Sequence, residues 1–296
     1  MRYAILGAGG VGLLIGGALA MAGHPVLLIL RPEALDVYPG GVHVRSPLLG
    51  EFDVDVPASS RLDREVEVLW VTVKAPQLED ALRLASPAVA AQAAVVPLLN
   101  GIDHLSRLRE VYGDCVIAGA IRVESERVGP GQVVHASRLV STELAPPVPL
   151  RSRAEAIADE MRRAGLPCIV RGGEAEVMWG KLALLAPFAL GTTSLGQPVG
   201  RARDDPQLRR LMQEAIREIC AVATTEGAQL EPELFWQALL NLPDQMRSSM
   251  QKDLSAGRQL ELDAIAGAVL RRGVERGIPT PATAELVRRV GGSQSL

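Results

Sequence analysis

The sequence has few aromatic residues, few cysteines and no excess of one charge. Phe, Trp and Tyr make up only 3% of the 296 residues, so cores must be built mainly from Ala, Leu and Val, which suits helices packed on a parallel sheet or on one another. The three cysteines are widely spaced and odd in number, which fits neither a disulfide framework nor a zinc site. We therefore expect reduced thiols, as in a cytoplasm, and no bound metal.

Charge and hydropathy exclude further classes of protein. The formal net charge is -3, with acidic and basic residues interspersed, so no basic surface for nucleic acid is expected. With 48% hydrophobic and 22% charged residues, the chain is long enough to bury cores in about two domains. A protein that binds neither nucleic acid nor membrane, and that works in the cytoplasm, is the expectation.

Two apolar runs raise the alternatives of export and membrane insertion. Residues 1–23 place one arginine before an apolar run, as a signal peptide does, but the six glycines between residues 7 and 17 would weaken a simple hydrophobic helix at about 1 kcal/mol each. Residues 177–200 are long enough to cross a bilayer, but they contain Lys181, Pro187 and a Thr-Thr-Ser sequence. A buried helix followed by a turn is the preferred interpretation.

The N-terminus has the order of a nucleotide-binding unit. The apolar run Tyr3–Leu6 leads into Gly7-Ala8-Gly9-Gly10-Val11-Gly12, and a helical stretch follows. Gly7 would allow a sharp turn, Gly9 would let the backbone approach a pyrophosphate, and Gly12 would let the helix pack against the strand. Unsatisfied N–H groups at the helix start would hold the phosphates. The predicted cofactor-binding residues here are Gly7, Gly9, Gly10, Val11 and Gly12.

The end of the second predicted strand selects the cofactor. An acidic residue at that point binds the ribose 2′-hydroxyl of NAD, whereas an arginine suits the 2′-phosphate of NADP. The sequence there is Leu30-Arg31-Pro32, and the guanidinium is a fixed cation with a fork of donors. We predict NADP(H), with a solvated surface arginine as the alternative.

Two later strands also end in polar residues. Val68–Val73 leads into Lys74, and Ala94–Leu99 leads into Asn100. Ligands of open α/β sheets bind at the carboxyl ends of the strands, so Lys74 and Asn100 are predicted cofactor contacts. A solvated lysine and an ordinary Asn-Gly turn would explain the same residues without a ligand. Further strands are predicted at 115–120 and 132–135, with a Gly-Pro-Gly turn between them and His135 in a structural role.

The second half is predicted to be helical, because long helical patterns follow Glu174 without another convincing strand. The fold class is therefore α/β, with a Rossmann-type doubly wound sheet in residues 1–172 and an all-helical domain in residues 173–296. Lys181 is the only charged residue from 177 to 200. Ser249 and Glu261 stand near predicted helix starts, where helix capping would explain them.

Together these segments resemble the ketopantoate reductases over nearly the whole chain. That family combines an N-terminal NADP-binding domain with a C-terminal helical domain. The resemblance rests on GAGGVG at Gly7–Gly12, Arg31, VKAPQ around Lys74, LNG at Asn100, WGKL at Lys181, SSMQKD from Ser248, and ELD ending at Asp263.

The resemblance implies NADPH-dependent reduction of a 2-keto acid. Its most specific form is 2-dehydropantoate to pantoate, in pantothenate and coenzyme A biosynthesis. Lys181 matches the catalytic lysine, Glu261 the active-site glutamate, and Ser249 a substrate contact. Apolar surroundings would lower the pKa of Lys181 toward the range useful to a general acid.

The chain departs from the family at one place, because Leu185 and Ala189 stand where the family has asparagines. Leu185 is therefore expected to border the substrate and to favour a more apolar 2-keto acid. Two further hypotheses stay open: a reductase of an imino or opine-type substrate, and a non-catalytic NADP-binding protein. The apolar helices of the second half are compatible with both a monomer and a homodimer.

Overall fold

The computed structural model describes residues 1–90 and 92–293. They form two compact units, one made of Met1–Leu99 and His104–Val177, the other of Asn100–Asp103 and the chain from Met178 onward. The predicted boundary at 172 precedes the long helix Glu174–Leu195, whereas the two units divide inside that helix. Asn100–Asp103, predicted within the first domain, is grouped with the second unit.

The described strands all lie in the first unit. They are β1 Tyr3–Leu6, β2 Val26–Ile29, β3 Gly41–Ser46, β4 Gly50–Asp55, β5 Ala58–Ser59, β6 Val68–Val71, β7 Ala94–Pro97, β8 Ala118–Gly129, β9 Gln132–Ala145 and β10 Cys168–Val170. Its helices are α1 Gly10–Met21, α2 Pro32–Leu35, α3 Leu78–Leu82, α4 Pro87–Ala90, α5 His104–Tyr112 and α6 Arg151–Arg163.

The first sheet has the predicted Rossmann arrangement. Its strand order is β5-β2-β1-β6-β7, and every neighbouring pair is parallel. Strands β1, β2, β6 and β7 are buried along their whole length, as expected where helices cover both faces of a parallel sheet. In this register Leu6 of β1 lies opposite Ile29 of β2 and Val71 of β6, so the three strands end at the same edge.

A second sheet in the same unit was only partly predicted. It has the order β10-β9-β3-β4, with β8 paired antiparallel to β9. The predicted Gly-Pro-Gly turn joins β8 to β9, but the strand expected from Cys115 starts only at Ala118, because Gly113–Cys115 is a 3-10 turn. The β3–β4 hairpin was not predicted. His135 is structural as expected, with Nδ1 2.9 Å from Ser46 Oγ.

The second unit is helical throughout its described residues, which confirms the predicted fold class. Helix α7 Glu174–Leu195 enters it and is followed by α8 Val199–Asp204, α9 Pro206–Thr225, α10 Pro232–Leu240, α11 Ser249–Ser255, α12 Ala268–Arg276 and α13 Pro281–Ser293. A π-helical turn, Asp263–Gly267, leads into α12. Among the described residues, no helix combines the length and apolar character needed to cross a membrane.

Candidate active site

The turn between β1 and α1 can be made only with glycine at two positions. Gly7 has φ +105°, and a Cβ there would lie 2.6 Å from Val73 Cγ1. A Cβ on Gly12 would lie 2.0 Å from the carbonyl oxygen of Gly7, so α1 could not approach the strand. Thr72, which the sequence did not single out, donates from Oγ1 to the Gly7 carbonyl at 2.7 Å. The turn is therefore held in one conformation.

The start of α1 suits an anionic ligand. A Cβ added to Gly9 would meet no atom within 4 Å, so the backbone is open at this point. No side chain caps the helix and no acidic residue lies in its first turn among the described residues, which leaves the N–H groups and the helix dipole to a phosphate. The backbone at Gly10 is covered, because a Cβ there would lie 2.3 Å from the carbonyl oxygen of Ser125, and Ser125 Oγ donates to the Gly10 carbonyl at 2.8 Å. The residues present fit a dinucleotide pyrophosphate, and Val11 lies half-buried in the same first turn.

Arg31 and Lys74 flank this turn. Arg31 is exposed and directly precedes α2, two residues after β2 ends. Lys74 is half-buried and directly precedes the 3-10 turn Ala75–Gln77. Because β2 and β6 are the two neighbours of β1 and end level with it, both side chains start from the edge that carries the glycine turn. A cofactor role for each stays a prediction.

Two predicted site residues that lie 161 positions apart meet in the second unit. The side-chain amide of Asn100 donates from Nδ2 to Glu261 Oε2 at 3.0 Å, and Glu261 is only 5% exposed. A buried carboxylate is stable only if hydrogen bonds or charges replace its lost hydration. Asn100 was predicted to contact the cofactor, and the structure adds a contact to Glu261 that the sequence did not indicate.

The backbone after Asn100 is packed closely onto the π-helical turn. Gly101 has φ +83°, and a Cβ there would lie 2.3 Å from the carbonyl oxygen of Ala264. The neighbouring Asp103 accepts hydrogen bonds from Arg271 and Arg272 of α12. π-helical turns are uncommon and often occur at functional sites. Here the turn begins two residues after Glu261, and Gly101 packs against it one residue after Asn100. The contact between Gly101 and the turn therefore lies next to both members of the Asn100–Glu261 pair.

Lys181 lies in the middle of α7 and is 6% exposed. The alternative of a lysine that extends from a core helix into water predicts an exposed end, which this low exposure disfavours. Leu185 and Ala189 follow at helical spacing on the same slowly drifting face. Leu185 is half-buried and Ala189 fully buried, so this face is apolar beyond the lysine.

The two serines at the start of α11 have different positions. Ser248 is the N-cap, and its Oγ accepts a hydrogen bond from the Gln251 backbone N–H at 3.1 Å. The same hydroxyl lies 2.8 Å from Thr192 Oγ1 of α7, a contact that the sequence did not indicate. Ser249 is exposed and is not the cap. Helix capping therefore does not explain Ser249, and its role as a substrate contact stays a prediction.

Comparison with known proteins gives a consistent set of relatives. The family model described as ketopantoate reductase PanE/ApbA matches residues 3–147, and the model of its C-terminal domain matches residues 175–294. The 2-dehydropantoate 2-reductase of Caulobacter vibrioides is 28% identical, over 96% of each chain. An uncharacterized oxidoreductase of Bacillus subtilis, YkpB, is 25% identical over 95% of each chain.

A solved structure matches along the full length. The crystal structure of a PanE/ApbA family ketopantoate reductase from Ralstonia eutropha superposes with a TM-score of 0.89. The two proteins are 30% identical, and the match covers 100% of this chain and 99% of that one. Both units therefore have counterparts in one relative.

Replacement of Gly101 by alanine tests the close packing on the π-helical turn. Gly257→Ala is the matched control, because Gly257 also has positive φ but has no atom within 4 Å of an added Cβ. The control should cost about 1–2 kcal/mol of backbone strain, and Gly101→Ala should cost about 1–3 kcal/mol more from the collision. Urea unfolding measures both, and equal losses would contradict the packing described for Gly101.

Proposed function

The chain belongs to the ketopantoate reductase family, and from this premise we propose that it reduces a 2-keto acid with NADPH. As a family member it is an oxidoreductase that acts on CH–OH groups. The proposed leading reaction is 2-dehydropantoate to pantoate, in pantothenate biosynthesis in the cytoplasm. The observation that carries the proposal is the burial, in one helical unit, of a single lysine on an apolar helix face and of a glutamate held by an amide.

The first unit has the proposed task of binding the nucleotide. The open backbone at Gly9 and the uncapped N-terminus of α1 support pyrophosphate binding by Gly9, Gly10 and Val11. Arg31 would bind the 2′-phosphate with its planar fork of donors, and Lys74 would contribute positive charge beside it. When bound, the nicotinamide supplies the hydride.

Lys181 has the proposed role of general acid. Negative charge builds up on the carbonyl oxygen as its carbon is reduced, and an ammonium in buried surroundings stabilises that charge more strongly than one in water. A proton then moves from Lys181 Nζ to this oxygen, which leaves a hydroxyl group and a neutral amine. Such catalysis contributes about 10²- to 10⁴-fold in rate. Glu261 would orient the ammonium and offset part of the cost of burying it.

The substrate side chain is the second part of the proposal. Ser249 would bond a polar group of the substrate, whereas Leu185 offers apolar contact one helical turn after Lys181. A hydroxyl buried against leucine and left unpaired costs about 1–3 kcal/mol. A more apolar 2-keto acid is therefore the second candidate, supported by the half-buried Leu185 and the buried Ala189. We also propose that the protein forms a homodimer.

Cofactor choice is tested at Arg31. Arg31→Ala should weaken NADPH binding by about 1–3 kcal/mol, since a charge-assisted contact to phosphate is lost, and should leave NADH binding nearly unchanged. Arg45→Ala, at an exposed arginine of β3, is the matched control. Titration of intrinsic fluorescence with each nucleotide gives the affinities. Equal affinity of the unmodified protein for NADPH and NADH would remove the basis of the NADP assignment.

The catalytic assignment is tested at Lys181 and Glu261. Lys181→Ala should lower kcat by about 100-fold or more with little change in NADPH affinity, and Glu261→Gln should also slow turnover. Lys181→Met fills most of the vacated volume without charge, so a loss equal to that of alanine would assign the effect to the ammonium. Steady-state kinetics with 2-dehydropantoate and 2-keto-3,3-dimethylbutanoate gives the rates. Unimpaired reduction by all three variants would refute the assignment.

A further inference from the structure

We propose that Asp103 is a positioning residue, which holds the segment Asn100–Asp103 on α12 and thereby keeps the Asn100 amide on Glu261. The inference rests on the proposed function, because it gives Asp103 a purpose only if Glu261 takes part in the reaction. Asp103 would act through Asn100 and would not touch the substrate. The inference follows from the contacts that join this short segment to the helices of the second unit.

Asp103 makes a two-point ion pair with α12. Its Oδ1 accepts from Arg272 Nη1 at 2.7 Å, and its Oδ2 accepts from Arg271 Nη2 at 2.7 Å. One carboxylate that bridges two adjacent guanidinium groups is fixed in direction as well as in place, since each oxygen has its own donor. The end of the segment is therefore tied to one turn of one helix.

The two arginines are themselves restrained. Arg271 Nη1 also donates to Asp263 at 2.6 Å, and Arg272 Nε lies 3.6 Å from Glu226 Oε2. The guanidinium of Arg272 lies over the ring of Trp179, 5.9 Å from its centroid. Trp179 is buried two residues before Lys181. The anchor of the segment thus also contacts the helix that carries the proposed general acid.

Asp103 is ionised at neutral pH, as the ion pair requires. Partial burial alone would raise the pKa of this carboxyl, but hydrogen bonds from Arg271 and Arg272 outweigh that effect and hold the pKa below its ordinary value. The carboxylate is half-exposed, so solvent screens the attraction and the ion pair contributes little to overall stability. Its fixed geometry, and not its stabilisation energy, is the feature that matters for the site.

Asn100 and Asp103 lie three positions apart in one short segment, so we expect a displacement at Asp103 to reach Asn100. Gly101 between them meets the carbonyl of Ala264 by close van der Waals contact, whereas the ion pair of Asp103 is charged and directional. Asn100 has a short side chain, and its 3.0 Å bond to Glu261 is lost if the backbone moves by about 1 Å. A misplacement of that size in a catalytic site costs up to about 100-fold in rate.

The test begins with Asp103→Asn, which keeps the shape of the side chain and removes its charge. We expect kcat to fall about 10-fold, while NADPH affinity stays unchanged. Asp63→Asn is the matched control, because it removes the charge of another half-exposed aspartate that is paired with an arginine, Arg64, in the first unit. If Asp103→Asn yields no soluble protein, Asp103→Glu keeps the charge but lengthens the side chain, and a smaller fall in kcat is expected.

A double-mutant cycle separates positioning from a general structural role. If Asp103 acts through Asn100, adding Asp103→Asn to Asn100→Ala should lower kcat no further. A merely structural role would give independent losses that multiply. Hydrogen exchange of residues 100–103 gives a readout that does not depend on turnover, and these amides should exchange faster in Asp103→Asn than in Asp63→Asn.

The outcomes distinguish this inference from the proposed function. Unchanged kcat and exchange in Asp103→Asn, or losses that multiply with those of Asn100→Ala, would overturn the positioning role. If Glu261→Gln turns over 2-dehydropantoate and 2-keto-3,3-dimethylbutanoate as fast as the unmodified protein, the catalytic assignment fails instead, and the exchange data alone then decide whether Asp103 holds the segment.

Discussion

A carboxylate buried in a helical unit must be given hydrogen bonds, and Glu261 is the group around which this part of the molecule is arranged. With 5% of its surface exposed, Glu261 cannot rely on water. The amide of Asn100 supplies a donor at 3.0 Å, and this requires the backbone at Asn100 to lie against the π-helical turn. The same segment packs Gly101 onto the carbonyl of Ala264 and pairs Asp103 with two arginines of α12.

The first unit depends on a steric constraint of a different kind. The Gly7 carbonyl and the backbone of Gly12 are too close for any side chain on Gly12, and the Thr72 hydroxyl fixes that carbonyl. Beside this narrow turn the backbone is open at Gly9, where an added Cβ would meet no atom within 4 Å, and no side chain caps the start of α1. Each unit therefore has one closely packed feature, the glycine turn in the first and the Asn100–Glu261 pair in the second.

The parts of the fold that sequence could predict were those set by short-range patterns. Tyr3–Leu6 and Val68–Val71 are uninterrupted apolar runs beside glycine or polar residues, so their strands were clear. The β3–β4 hairpin was missed although Val42 and Val44 alternate with His43 and Arg45, as in a half-buried strand. The alternation is only a few residues long. Capping at α11 was expected, but a serine pair does not reveal which member caps, and it is Ser248.

The site was less predictable than the fold, since its defining contacts join distant parts of the chain. Asn100 was predicted to contact a ligand because it follows a strand, whereas its bond to Glu261 spans 161 positions. Asp103 gave no signal of its own, because an acidic residue after an Asn-Gly turn is ordinary at a surface. Its proposed positioning role becomes visible only in the structure, where two arginines donate hydrogen bonds to it.

The most direct test of the account is a screen of 2-keto acids that follows NADPH absorbance, with and without added amines. The panel contains 2-dehydropantoate, its deoxy analogue 2-keto-3,3-dimethylbutanoate and smaller aliphatic 2-keto acids. The account predicts amine-independent NADPH oxidation with at least one of the two named acids, and formation of the matching 2-hydroxy acid. Oxidation that occurs only when an amine is present, or none with any acid of the panel, would contradict the central claim that the chain is a 2-keto acid reductase.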